Sequence, residues 1–311
     1  MAKYEFDPVK QRGSTERTRR LRAESMSTQP HIYIERAVLE TEAYKMYEGT
    51  CSIPELRAKT LLHFFQNKKL YIGKDELIVG EKGDGPQAAP TFPELCCHTL
   101  EDMHNMNDRK IVNFTVTEED LKIQEEMIIP FWEKRSTRSK TVPSMTQEWR
   151  DAYEAGIFTD FMEHRGAGHT VGSKKAYEKG YLDYQKDIED ALAKIDYMND
   201  PEALAKRDQL NAMHIACEAV MVLGKRYADY ARELAEKEEN PQRKAELLQI
   251  AANCDVVPAH KPQTFWQAIQ TYWFTHLAVT TELNPWDAFS PGRLDQHLIP
   301  YYEKDVEDGI L

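Results

Sequence analysis

No run of about eighteen apolar residues occurs in this chain, so it offers no candidate membrane span. Its basic start, MAKYEFDPVKQRGSTERTRRLR, is followed by no apolar core and is not a secretory signal. Cysteine is sparse and scattered. Cys51, Cys96, Cys97, Cys217 and Cys254 are an odd number without the spacing of a disulfide framework, and the cytoplasm is the compartment that fits them. Positive charge is in deficit: 40 Lys and Arg against 52 Asp and Glu leave a net charge of −12. Nucleic acid and anionic membrane would both be repelled, so neither is an expected partner. The chain has no phosphate-binding glycine loop, no dinucleotide fingerprint and no His-x-x-x-His pair. Gly83 and Gly85 imitate a nucleotide loop weakly, but Pro86 and Pro90 prevent a helix from starting in register. Cys96-Cys97-His98 lacks the two-residue spacer of common zinc sites and has no second pair, so it is read as structural and no metal is expected. Repeats and low-complexity segments are absent as well.

What is present is the composition of a soluble globular protein, 41% hydrophobic and 30% charged over 311 residues, enough for one large domain or two. Residues 1–13 read as an irregular lead. Ser14-Thr15 can cap a short basic helix from Arg17 to Glu24. Apolar spacing predicts a second helix from His31 to Tyr47 and a third that Pro54 opens and Asn67-Lys68-Lys69 ends. Glu76-Leu77-Ile78-Val79-Gly80 has the pattern of a strand buried on both faces, and Gly83 to Pro93 that of a loop held by packing. Thr117 is an N-cap with three acids behind it, and Pro130 should end or kink that helix. Arg135 to Val142 reads as a polar connection and Met145 to Phe161 as helix. From Lys174 to Ala252 the chain is almost all helix, interrupted at Asn240-Pro241. Its clearest stripe includes Leu210, Met213, Cys217, Val220, Gly224 and Tyr227, on which Cys217 is a small core residue rather than a nucleophile.

Two stretches stand apart. In CDVVPAHKPQTFWQAIQTYWFTHLAVTTELNPWDAFSPGRLDQHLIPYY, from Cys254 to Tyr302, the apolar positions between Phe265 and Val279 cover too much of a helix for a surface element. At Asn284-Pro285 the helix must stop, and a loop carrying Asp287, Ser290, Gly292, Arg293 and Asp295 follows. Charges hung from a buried helix are costly unless paired, which points to a cleft. The other stretch is FTDFMEHRGAGHT, where Gly166-Ala167-Gly168 permits close backbone approach and presents His169.

The segments VPAHKPQTFWQAIQTYWF and NPWDAFSPGRLDQHLIPYY, with RTRRLRAES, ELIVGEKG and GAGHT, resemble the N-terminal half of the glycyl radical enzymes, the family of pyruvate formate-lyase and the coenzyme-B12-independent dehydratases. The resemblance runs from about residue 14 to the C-terminus. It implies an α/β fold, a ten-stranded barrel wrapped by helices, of which this portion would be predominantly helical with few short strands. On that reading residues 14–311 are the N-terminal part of a pyruvate formate-lyase-like domain, truncated at its C-terminal end. The Trp286-Asp287-Ala288-Phe289 variant, PELCCHTLEDM at 93–103 and DFMEHRGAGHT at 160–170 are most similar to the branch that dehydrates trans-4-hydroxy-L-proline. Carried over residue by residue, Asp287 and His169 match polar groups near that substrate, and Phe161 matches an aromatic wall. Arg293 and Asp295 would form a structural pair fixing the loop.

The family's thiyl cysteine stands in a Cys-x-Glu context and its radical glycine in Arg-Val-x-Gly-Tyr, and neither occurs in these 311 residues. The chain is therefore expected to be a fragment or a truncated frame, inactive alone. The resemblance further implies no bound B12, metal or flavin. A separate iron–sulfur activating enzyme using S-adenosylmethionine would install the radical in a small-molecule enzyme of homodimeric build. Within the family the alternatives are a glycerol or diol dehydratase and a formate acetyltransferase, against which the pattern at 284–297 speaks. A helical binding module is the reading outside the family, should the gene stop at 311.

Overall fold

The computed structural model describes residues 14–157, 170–283 and 289–311. In chain order these form α1 (Glu16–Ser27), β1 (His31–Tyr33), α2 (Glu35–Tyr47), α3 (Ile53–Asn67), β2 (Ala88–Pro90), α4 (Leu100–Asp108), α5 (Glu118–Ile123), α6 (Ile129–Trp132), α7 (Thr137–Thr141) and α8 (Gln147–Glu154). The second part holds α9 (Lys175–Glu178), α10 (Tyr181–Leu192), α11 (Ala203–Lys237), α12 (Pro241–Val256), α13 (Phe265–Glu282) and α14 (Leu294–Glu307). Helix starts follow the caps in the sequence. Thr15, Ser52, Thr117, Asn240 and Thr264 each accept a first-turn N–H on the side-chain oxygen.

The core gathers on α11, whose 35 residues make a rod about 50 Å long. Its small residues Ala219, Gly224, Ala228 and Ala231 are buried and let α3 and α12 pack closely. A Cβ on Gly224 would lie 2.5 Å from Pro258 Cδ, so the turn after α12 rests directly on α11. The predicted stripe holds from Cys217 onward. Met213 does not join it: it is 45% exposed on an apolar groove of about 500 Å³ between α3, α11 and α13.

Helix α13 is as enclosed as its composition implies, since no residue from Phe265 to Glu282 is exposed. Buried threonines are tolerated because Thr271, Thr275 and Thr280 each donate to the carbonyl four residues back, at 2.9, 2.9 and 3.0 Å.

Several local expectations are overturned, each for an identifiable reason. Residues 76–80 are not a strand. Their backbone is satisfied by side chains of α13 instead of a ladder. Val79 N–H donates to Gln270 Oε1 at 2.9 Å while Gln270 Nε2 donates to Val79 O at 2.7 Å. Trp266 Nε1 donates to Leu77 O at 2.9 Å, and Trp273 Nε1 to Gly80 O at 2.7 Å. The strands lie elsewhere: His31–Tyr33, expected to open a helix, pairs in parallel with Ala88–Pro90 from the segment read as an irregular loop. Pro130 does not end its helix: a π-turn over Gln124–Ile128 precedes it and places it in the first turn of α6. The polar connection at 135–142 contains α7, capped by Ser136. The helix expected from Met145 stops at Glu154, with Gly156 at φ +69° just beyond.

Candidate functional site

Helices α13 and α14 form an antiparallel hairpin. Asp305, near the end of α14 and 1% exposed, accepts the N–H of Phe265 at the start of α13 at 2.8 Å. A carboxylate there also meets the positive end of the α13 dipole. Tyr177 of α9 packs between the two, against Ala268 and Leu298, and Tyr301 Oη donates to its carbonyl at 3.0 Å.

At the other end of the hairpin two segments meet. Thr170 and Ser290 form an isolated parallel bridge, and Val171 N–H donates to Ser290 O at 2.9 Å. Gly292 then turns back with φ +70° and donates its N–H to Ser290 Oγ at 3.0 Å. A Cβ on it would stand 2.7 Å from Thr170 Cγ2, so glycine is needed for both the conformation and the approach. This contact joins the chain just after GAGH to the chain just after WDAF.

Phe161, His169 and Asp287 themselves lie outside the described residues. Arg293 and Asp295 are described, both exposed, at the N-cap and first turn of α14. Among the described residues they make no ion pair with each other. Residues two apart on a helix point to different sides, and Asp295 instead favours the helix N-terminus.

The C-terminal end of α13 is anchored by a buried arginine that its sequence gave no reason to single out. Arg36, on α2 and 2% exposed, donates from Nε and Nη2 to Thr281 O at 3.3 and 3.0 Å. Its Nη1 and Nη2 reach both oxygens of Glu94 at 3.2 and 2.8 Å, and Nη1 also reaches Thr91 O at 3.0 Å. Glu40 Oε2 lies 3.6 Å from Nη2, and the Phe92 ring centroid 3.7 Å from the guanidinium carbon. Next to this cluster Arg57 Nε donates to Glu282 Oε1 at 2.5 Å.

A second polar group missed by periodicity is His276. Its Nδ1 is 3.1 Å from Tyr272 Oη, and its ring stacks on Trp273 at 5.4 Å and 12°. Burial, and then the charge of Lys82, hold His276 below the usual imidazole range. Among the described residues no three His, Cys, Asp or Glu side chains converge as metal ligands, and no helix is long and apolar enough to cross a membrane.

Residues 12–311 match the family model described as pyruvate formate lyase-like. The chain is 60% identical over 300 residues to a trans-4-hydroxy-L-proline dehydratase of Clostridioides difficile, covering 96% of this chain and 38% of that protein. It is 31% identical over 293 residues to an isethionate sulfite-lyase of Desulfovibrio desulfuricans, covering 91% of this chain and 35% of the relative. Among solved structures, the hydroxyproline dehydratase of Clostridioides difficile with trans-4-hydroxy-L-proline bound superposes with a TM-score of 0.92 at 60% identity, over 96% of this chain and 38% of that one. The glycerol-bound B12-independent glycerol dehydratase of Clostridium butyricum gives 0.85 at 31% identity, over 93% and 37%. The chain thus spans less than two-fifths of the length of these relatives. Its described part is the predominantly helical N-terminal portion expected, with two short strands.

Proposed function

Because the chain belongs to the pyruvate formate lyase-like family, we propose that it is the N-terminal portion of a glycyl radical dehydratase that eliminates water from trans-4-hydroxy-L-proline to give pyrroline-5-carboxylate. The observation that carries this reading is the Thr170–Ser290 bridge. It joins the residue that follows His169 to the residue three beyond Asp287, two candidates that stand 118 positions apart in the chain. The 60% identity to a hydroxyproline dehydratase supports the substrate.

A cysteine thiyl radical, generated by the glycine radical and contributed from outside these residues, would take hydrogen from the substrate and return it to the product radical. The part assigned to this chain is polar and steric. Asp287 and His169 share two tasks: holding the ring ammonium, and protonating the hydroxyl that departs as water from the carbon next to the radical. General acid assistance of this kind contributes roughly 10²- to 10⁴-fold. Phe161 closes an apolar side, and a dry pocket strengthens both polar contacts. Arg293 and Asp295 belong to the support of the loop, through the first turn of α14. The full protein is assigned to an anaerobic cytoplasm, as a homodimer served by a separate S-adenosylmethionine-dependent activating enzyme.

The test is a substrate screen of the full-length protein after anaerobic activation. Formation of pyrroline-5-carboxylate from trans-4-hydroxy-L-proline, with no turnover of glycerol, is expected. Turnover of glycerol but not of hydroxyproline overturns the assignment.

A further inference from the structure

The last carbonyls of a helix lack intrahelical partners, and at the end of α13 the sequence makes one of them permanently so. Val279 O is satisfied by Leu283 N–H at 2.9 Å. For Thr281 O, the residue four positions on is Pro285, which has no N–H to give. Arg36 fills that vacancy with two donors, Nε and Nη2. The guanidinium is itself held from three other directions: Glu94 takes it in a fork, Thr91 O accepts from its far edge, and the Phe92 ring covers its face. Its charge also meets the negative end of the α13 dipole. A planar fork is what such a site requires. A lysine offers three donors at a single point and could not span Glu94 and Thr281 together.

We infer that Arg36 is a positioning residue: by fixing the Thr281 carbonyl it sets the direction in which the chain leaves α13, and so where the loop carrying Asp287 begins. Thr281 is six residues before Asp287, and the loop's far end is fixed by the Ser290–Thr170 bridge. The described chain on either side of residues 284–288 is thereby held, to α2 through Arg36 and to the 170 segment through Ser290. Its catalytic consequence rests on the dehydratase reading above, whereas the tether does not.

The 311-residue chain has five tryptophans, Trp132, Trp149, Trp266, Trp273 and Trp286, of which the last adjoins Asp287. With 5-fluorotryptophan incorporated, Trp286→Phe assigns the loop resonance by its loss. In Arg36→Lys the Trp286 resonance is expected to shift or broaden, while those of Trp149, Trp266 and Trp273 stay in place and report an intact fold. Should Arg36→Lys fail to fold, Glu94→Gln, which loosens the fork without removing the guanidinium, is expected to give a smaller displacement of the same resonance. An unmoved Trp286 resonance in a folded variant overturns the inference. In the activated full-length protein, Arg36→Lys is expected to lower kcat on hydroxyproline about 100-fold, the cost of displacing a reacting group by about 1 Å, with KM affected much less. If the wild-type protein does not turn over hydroxyproline at all, the dehydratase reading fails, and the Trp286 resonance still decides the tether.

Discussion

The meeting of the 170 and 290 segments can be measured through Gly292→Ala. The backbone there has φ +70°, where an L side chain costs roughly 1 kcal/mol more than glycine. The new Cβ would also sit 2.7 Å from Thr170 Cγ2, more than half an ångström inside ordinary contact. Overpacking typically costs about 1–3 kcal/mol. Thr170 is exposed and can yield, so the lower end applies and the total is about 2 kcal/mol. The two parts separate in a double-mutant cycle. Thr170→Ser removes Cγ2 and relieves the overlap but leaves the φ cost, so the pair should couple by about 1 kcal/mol. Urea unfolding of the wild type, both single variants and the double variant, compared at constant m, reads this directly. Additive effects, within about 0.5 kcal/mol, would falsify the contact and remove the geometric basis of the site.

Three further outcomes follow from the same structure. Gln270→Leu strips both partners from the fully buried Val79, and two unpaired backbone groups at about 1–3 kcal/mol each should lower the urea midpoint sharply; a midpoint near wild type would mean that water reaches Val79. Burial, and next the charge of Glu76, push the Glu81 carboxyl up to about 7. Its folded form therefore holds a proton that the unfolded chain releases near 4.5, so this group's stabilisation is present below pH 4.5 and lost as pH rises to 7. Glu81→Gln should flatten that part of the stability profile, and an unchanged slope would assign it to other groups. In the full-length protein, Asp287→Asn should lower turnover severely with circular dichroism and melting temperature retained, whereas a near-normal rate removes Asp287 from the site.

How far the sequence carried the reading depends on whether a signal was local. Caps are local, and Thr15 and Thr117 stand where their side chains find first-turn N–H groups. The enclosed character of α13 was legible because few helices lack a polar face. Glu76–Gly80 was misread because an apolar run records burial without recording which partner takes the backbone bonds, here side chains from nearly two hundred residues away. Strands as short as His31–Tyr33 and Ala88–Pro90 leave no period to detect. The Asp287 and His169 candidates came from resemblance, and only the Thr170–Ser290 bridge adds geometry beside them. Arg36 was invisible because its acceptor is a backbone carbonyl 245 positions on, which no side-chain pattern encodes.

The most direct measurement is a crystal structure of the full-length protein with trans-4-hydroxy-L-proline. Ligand density bounded by the segments that end at Thr170 and begin before Ser290, with the Asp287 carboxyl and the His169 imidazole within hydrogen-bond reach of the ring nitrogen and the 4-hydroxyl, is the expected result. Hydroxyproline bound away from both segments, or held there by neither side chain, would contradict the site proposed for this chain.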